Sequence, residues 1–256
     1  MSLYYEVNGS GQPLLLISGL GVDNSCWSGL VKKFAKQFKT IVFDNPGSGR
    51  SGQFKKPHTI RQLAVEVIRL LDHLGIERAH IIGHSMGGYI AQELAINYPN
   101  RVNKLILEAT TPICSGLNKT LFVDLASMLE KETIEEWIKV WTFWLFSPRT
   151  FASGSFVETF IEQAVKYPYP ASVAGFKAQV EAISKFDSRK RLSCIKAKTL
   201  IIHGEDDVLF LPDEAGVLAK RIPNSKFKLI KNTAHYVHLE DPVSFIKIVM
   251  GFLGKS

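Results

Sequence analysis

The sequence predicts an α/β fold, a mostly parallel central sheet flanked by helices, with a helical segment inserted between two of its strands. Short, continuously apolar runs alternate with longer amphipathic ones, the pattern of strands buried on both faces and the helices that cover them. That alternation halts near residue 111 and resumes near residue 198. The 256 residues are 46% hydrophobic and 21% charged, enough to bury a sizeable core around one such sheet.

Six runs read as strands: LLLIS at 14–18, TIVFD at 40–44, HIIG at 80–83, KLIL at 104–107, KTLIIH at 198–203 and KFKLI at 226–230. Between the second and third, Ile60, Leu63, Ala64, Val67, Leu70, Leu71 and Leu74 recur three and four apart, a helix over 59–74 with Gly75 as its C-cap. A second helix over 87–97 is closed by Tyr98-Pro99. Parallel strands joined this way need right-handed crossovers. Residues 112–197 are helical in pattern and hold three of the four tryptophans, with Trp137, Val140, Trp141, Trp144 and Leu145 on one stripe. Pro148, Pro168 and Pro170, with Gly154 and Gly175, divide the segment into about four helices. The expected organisation is a core made of 1–111 and 198–256, and a helical lid, 112–197, over the carboxyl edge of the sheet.

Composition excludes several classes. The net charge of +7 divides as +4 over 1–111, +2 over 112–197 and +1 over 198–256, whereas a nucleic-acid binder concentrates its charge on one face. A mildly basic, solvated surface and no nucleic-acid partner are expected. Cys26, Cys114 and Cys194 are far apart and form no CxxC pair, which argues against a disulfide framework and a cysteine-ligated zinc site. No run reaches the roughly 20 apolar residues of a membrane span, and no signal peptide is visible at the N-terminus, so a cytoplasmic protein without a membrane partner is expected. Oligomeric state is not legible.

Chemistry concentrates at GHSMGG, 83–88. An apolar strand, Gly83-x-Ser85-x-Gly87 and a helix make a G-x-S-x-G turn, tight enough to strain the serine and to require small residues two before and two after it. Strain exposes the hydroxyl, and the following amides open a helix whose N-terminus favours developing negative charge. A serine hydroxyl needs a base, and the base an orienting carboxylate. Strand 198–203 runs into Gly204-Glu205-Asp206-Asp207, and strand 226–230 into Lys231-Asn232-Thr233-Ala234-His235. Both are loops where these partners belong.

With SGLGVDNSCW (18–27), FDNPGSGRSG (43–52), GHSMGG (83–88), IIHGEDDVLFLP (201–212) and NTAHYVHLEDP (232–242), the chain resembles the α/β-hydrolase superfamily, serine-nucleophile branch, over nearly its whole length. The resemblance implies the α/β-hydrolase fold with an inserted helical lid, Ser85 as nucleophile, Asp207 as acid and His235 as base. Asp206, adjacent to Asp207, and Glu108, where some relatives carry the acid, are rivals of Asp207, His238 is a rival of His235 three residues on, and His84 reads as structural. The oxyanion would be held by the backbone N–H of Met86 and of Leu20. Where relatives often read His-Gly-X, this chain has Ser18-Gly19-Leu20, which puts the support of that loop in question. Trp137, Trp141 and Trp144 are candidates for an apolar substrate wall.

The chain is similar to small bacterial carboxylesterases, 3-oxoadipate enol-lactonases and pimeloyl-acyl-carrier-protein methyl esterases. That implies hydrolysis of a carboxylic ester, thioester or lactone, small or borne on an acyl carrier protein, without metal or organic cofactor. A carbon–carbon hydrolase, a perhydrolase and a non-catalytic small-molecule receptor on the same scaffold are the alternatives. Gly47-Ser48-Gly49-Arg50-Ser51-Gly52 matches G-x-G-x-x-G, but a dinucleotide site needs a helix opening there, which 53–57 (QFKKP) do not supply. His58, His73, His80 and His203 are scattered singly, with no metal cluster behind them.

Overall fold

A computed structural model describes residues 3–52 and 59–254; His58 and the 53–57 stretch lie outside them. The strands are β1 (Tyr5–Asn8), β2 (Gln12–Ile17), β3 (Phe38–Phe43), β4 (Ala79–His84), β5 (Val102–Glu108), β6 (Lys198–Gly204) and β7 (Ser225–Ile230). They form one sheet in the order β1-β3-β2-β4-β5-β6-β7. The six anticipated strands are mutually parallel, and β1 pairs antiparallel with β3 at one edge. β1 escaped the sequence reading because its four residues, YEVN, are only partly buried and form no apolar run.

The helices are α1 (Ser28–Phe34), α2 (Ile60–His73), α3 (Met86–Asn97), α4 (Gly116–Lys131), α5 (Ile134–Leu145), α6 (Pro148–Ala152), α7 (Phe156–Val165), α8 (Val173–Ser184), α9 (Pro212–Arg221), α10 (Val237–Glu240) and α11 (Pro242–Leu253). The sheet has two cores. Leu15 and Ile17 of β2 join Leu63, Leu71, Ile90 and Leu94 of α2 and α3, while Leu14 and Leu16 join Phe34 of α1 and Phe245 and Val249 of α11. Successive β2 residues thus bury on opposite faces, which is why the run reads as continuously apolar. Thr59 caps α2 reciprocally with Gln62, fixing where that helix starts.

Five helices, α4–α8, separate β5 from β6 among the described residues, where the punctuation implied about four. Pro148 does not merely end α5: Ser147 accepts the Thr150 N–H and starts α6, with Pro148 in its first turn. Gly175 is not a break but lies inside α8, where a Cβ would stand 2.0 Å from the Gly47 carbonyl oxygen. It lets α8 touch the loop after β3.

Strands β3 and β4 flank β2, so the chain reverses its progress across the sheet between β2 and β4. Above the carboxyl ends of those strands lies the crevice where open α/β sheets bind ligands. No described helix is long and apolar enough to cross a membrane.

At the opposite end of β4, His80 is 3% exposed, and burial, with Lys104 and Arg78 nearby, pushes its imidazole down to about 4. A histidine lowered on folding makes the unfolded chain the better proton binder, so native stability falls as pH drops from the ordinary value toward 4. Between pH 7 and pH 5, urea titrations of His80→Phe should show roughly 2 kcal/mol less loss than the parent. Equal losses would contradict the assignment.

Candidate active site

The strand–turn–helix at β4 and α3 holds Ser85 at φ 54° and ψ −119°, a strained backbone for a residue with a side chain. The surroundings enforce it: the Ser85 N–H donates to the Glu108 carbonyl at 2.9 Å, and the Thr110 hydroxyl donates to the Ser85 carbonyl at 2.9 Å. A Cβ on Gly83 would stand 2.3 Å from the Gly87 carbonyl oxygen, and one on Gly87 2.2 Å from that of Ile17. Glycine at both positions is therefore a packing requirement of the turn.

Asp207, 2% exposed, follows β6. Its Oδ1 accepts the N–H groups of Leu209 and Phe210, both at 3.0 Å, and its Oδ2 lies 3.0 Å from His235 Nδ1. Burial alone would raise this carboxyl, but His235 and His203 outweigh it and hold it well below the usual carboxylate range. An ionised carboxylate only accepts, so His235 donates from Nδ1, and the neutral ring keeps Nε2 bare, the tautomer a general base requires. Of the rivals, Asp206 is half-buried and uses its N–H on the Thr233 carbonyl. Glu108 and His238 pair with each other instead, Oε1 to Nδ1 at 2.8 Å, fully buried, with Trp27 stacked on the histidine.

Ser85 and His235 line one cavity of about 10 Å³, room for about one water, beside Leu20 and Met86. Among the described residues no hydrogen bond joins Ser85 Oγ to His235, a contact often long before substrate arrives. Met86 begins α3 and so has an N–H without an intrahelical acceptor, and the Leu20 N–H donates to no described residue. The loop carrying Leu20 is braced despite Ser18: the Trp27 indole donates to Ser18 Oγ at 3.1 Å and Asn45 Nδ2 to its carbonyl at 2.8 Å. Gln179 of α8 adds a brace, accepting the Gly21 N–H at 2.9 Å while donating to the Pro46 carbonyl and Ser48 Oγ.

Apolar walls come from Phe122, Trp141, Leu145, Ile183, Leu209 and Phe210, so α4, α5 and α8 overhang the sheet's carboxyl edge. Of the three tryptophan candidates only Trp141 lines the cavity. Trp137 donates its indole N–H to the Leu125 carbonyl at 2.8 Å and packs edge-on against Phe176, and Trp144 is a half-buried packing residue. All three lie on one face of α5, three and four residues apart along it, and the cavity meets that face at Trp141 and Leu145.

The histidine loop is also anchored. The N–H groups of His235 and Tyr236 both donate to the Leu145 carbonyl at the end of α5. Glu240 accepts the N–H groups of Ala234 and Ser147. His84 Nε2 donates to the His235 carbonyl at 3.1 Å, and burial drives that imidazole well below its ordinary value, so it is a neutral structural donor. Sequence reasoning missed His203, Gln179 and Glu240. Only His203 left a local signal, standing four residues before Asp207 across a tight turn.

Comparison with known proteins agrees with this architecture. The family model for the alpha/beta hydrolase fold matches residues 12–242. A protein of Azorhizobium caulinodans named "Putative carbamate hydrolase RutD" is 30% identical over 99% of this chain and 95% of its own length. Among solved structures, the enol-lactonase of Burkholderia xenovorans LB400 superposes with a TM-score of 0.89 at 27% identity, covering 99% of this chain and 96% of that one. A thermophilic esterase of Thermogutta terrifontis gives 0.88 at 26% identity, covering 98% and 92%. The chain belongs to the α/β hydrolase fold family and is a hydrolase.

Proposed function

We propose that the protein is a serine hydrolase that cleaves small carboxylic esters through an acyl-enzyme. One observation carries the reading: a strained serine shares a cavity with a histidine whose Nδ1 is bound by a buried, ionised aspartate. Ser85 Oγ attacks the substrate carbonyl carbon while His235 Nε2 takes its proton. The tetrahedral oxyanion is held by the N–H groups of Leu20 and Met86. The intermediate collapses, the alcohol leaves with the proton from His235, and the acyl group stays on Ser85. Water, deprotonated by His235, then repeats the sequence and frees the acid. Asp207 keeps the imidazole tautomer and stabilises its cation.

The cavity supports a short, apolar acyl group. Its walls beyond Ser85 and His235 are mainly aromatic and aliphatic, and α5 and α8 are tied to the sheet loops by Leu145, Gln179 and Glu240. A second reading comes from the similar proteins named as carbamate hydrolases. A carbamate would bring an amino group, two further donors, and beyond the reacting groups and His84 the lining offers them one side-chain acceptor, the Tyr236 hydroxyl, among Phe122, Leu145, Ile183 and Leu209. We therefore favour the ester.

The test is hydrolysis of p-nitrophenyl acetate, butyrate, octanoate and laurate beside a p-nitrophenyl carbamate, by the parent and by Ser85→Ala. Acetate or butyrate should be best, with turnover lost in the variant. Ile183→Ala should move the optimum to a longer chain, because it removes wall volume without touching the reacting groups. An optimum at laurate would sink the short-acyl assignment, and a carbamate turned over faster than every ester would favour the second reading.

A further inference from the structure

Asp207 is held from a side that the nucleophile–base–acid assignment does not use. His203, the next-to-last residue of β6, is 0% exposed. Its Nε2 lies 2.6 Å from the Phe210 carbonyl oxygen and 3.2 Å from Asp207 Oδ2. A carbonyl only accepts, so Nε2 carries the proton and donates it to Phe210, with Asp207 Oδ2 beside it at ion-pair distance. Nδ1 is buried and has no partner among the described residues, so the ring bonds through one edge alone.

We propose that His203 is a positioning residue, whose imidazole clasps the 204–210 turn and fixes the Asp207 carboxylate against which His235 is oriented. Both backbone donors to Asp207 fall on Oδ1. Oδ2, the oxygen that holds His235, has His203 as its other partner. Without that contact, Oδ2 keeps only the imidazole it is meant to orient, and the tilt of the carboxylate rests on the two bonds to Oδ1 alone. The bond to the Phe210 carbonyl acts on the same turn, and the Phe210 ring sits edge-on to His235 at 5.3 Å while lining the cavity. His203 thus reaches the site through Asp207 and Phe210 and does not touch substrate.

The proposal rests on the assignment of Ser85, Asp207 and His235 made above. Its test therefore includes a probe that needs only an activated serine. His203→Leu removes the donor, whereas His203→Gln keeps an N–H near the position of Nε2. The rate of Ser85 labelling by a fluorophosphonate, per folded molecule by circular dichroism, is measured beside kcat and KM for p-nitrophenyl butyrate. His203→Leu should lower kcat and the labelling rate about 10- to 100-fold. KM should change by less than about threefold, and His203→Gln should recover most of the loss.

Parent-like labelling and kcat in folded His203→Leu would overturn the proposal. So would equal losses in Leu and Gln, which would make His203 only a brace of the turn. If the parent labels but hydrolyses no ester, the ester reading fails and the labelling rates alone decide this proposal. A folded parent that does not label overturns it outright.

Discussion

Ser85→Ala is expected to lower ester turnover by about 10⁶-fold while the protein remains folded. The loss is so large because, in the proposed mechanism, His235 and Asp207 have nothing to act on without the hydroxyl. Removing one oxygen atom leaves the turn's packing intact, since Gly83, Gly87 and the bond from Thr110 to the residue-85 carbonyl do not depend on it. Stopped assays at high enzyme concentration, with thermal melts of both proteins, check this. Residual activity within about 100-fold of the parent would mean that another group attacks the substrate.

A large loss of stability is expected for Gly87→Ala. An alanine Cβ there would stand 2.2 Å from the Ile17 carbonyl oxygen and 2.8 Å from that of Ser18. Both are backbone atoms of the β2 end and the loop after it, which cannot rotate aside. Either α3 moves off the sheet or β2 shifts, and the cost should exceed about 3 kcal/mol. The same displacement moves the Leu20 N–H, so surviving folded protein should also be slow. Gly216→Ala is the contrast: it sits in α9 with nothing within 4 Å of the added carbon, and should stabilise by about 0.5–1 kcal/mol. Urea titrations of the two variants should move in opposite directions, and a parent-like Gly87→Ala would contradict the packing argument.

These two residues show why so much was legible beforehand. The turn at Gly83-x-Ser85-x-Gly87 is local, with its strand, serine and helix within about twenty consecutive residues, so spacing alone exposes it. The buried strands declare themselves through continuous apolar runs because β2 feeds both cores at once. Asp207 and His235 needed more, the knowledge of which loops meet above the sheet, and the family resemblance supplied it. The structure separates Asp207 from Asp206 by burial and contact, and gives Glu108 and His238 to each other.

What stayed hidden depends on distance along the chain. Gln179 bonds to Gly21 and Pro46, more than 130 residues away, and no pattern around it announces that. The tryptophan stripe was a true helical face, but a face has a width. Trp141 reaches the cavity, whereas Trp137 and Trp144 spend their surface on packing. β1 was missed for the opposite reason. Four residues, three half-buried and one exposed, are a weak signal even when local.

The most direct test of the account is to trap the acyl-enzyme. The protein is mixed with p-nitrophenyl acetate, quenched in acid within the first turnover and digested for mass spectrometry. One acetyl group is expected on the peptide carrying Ser85, absent from Ser85→Ala and nearly absent from His235→Gln, where the serine lacks the base that takes its proton. Turnover without any acetylated Ser85, or the same adduct in Ser85→Ala, would contradict it.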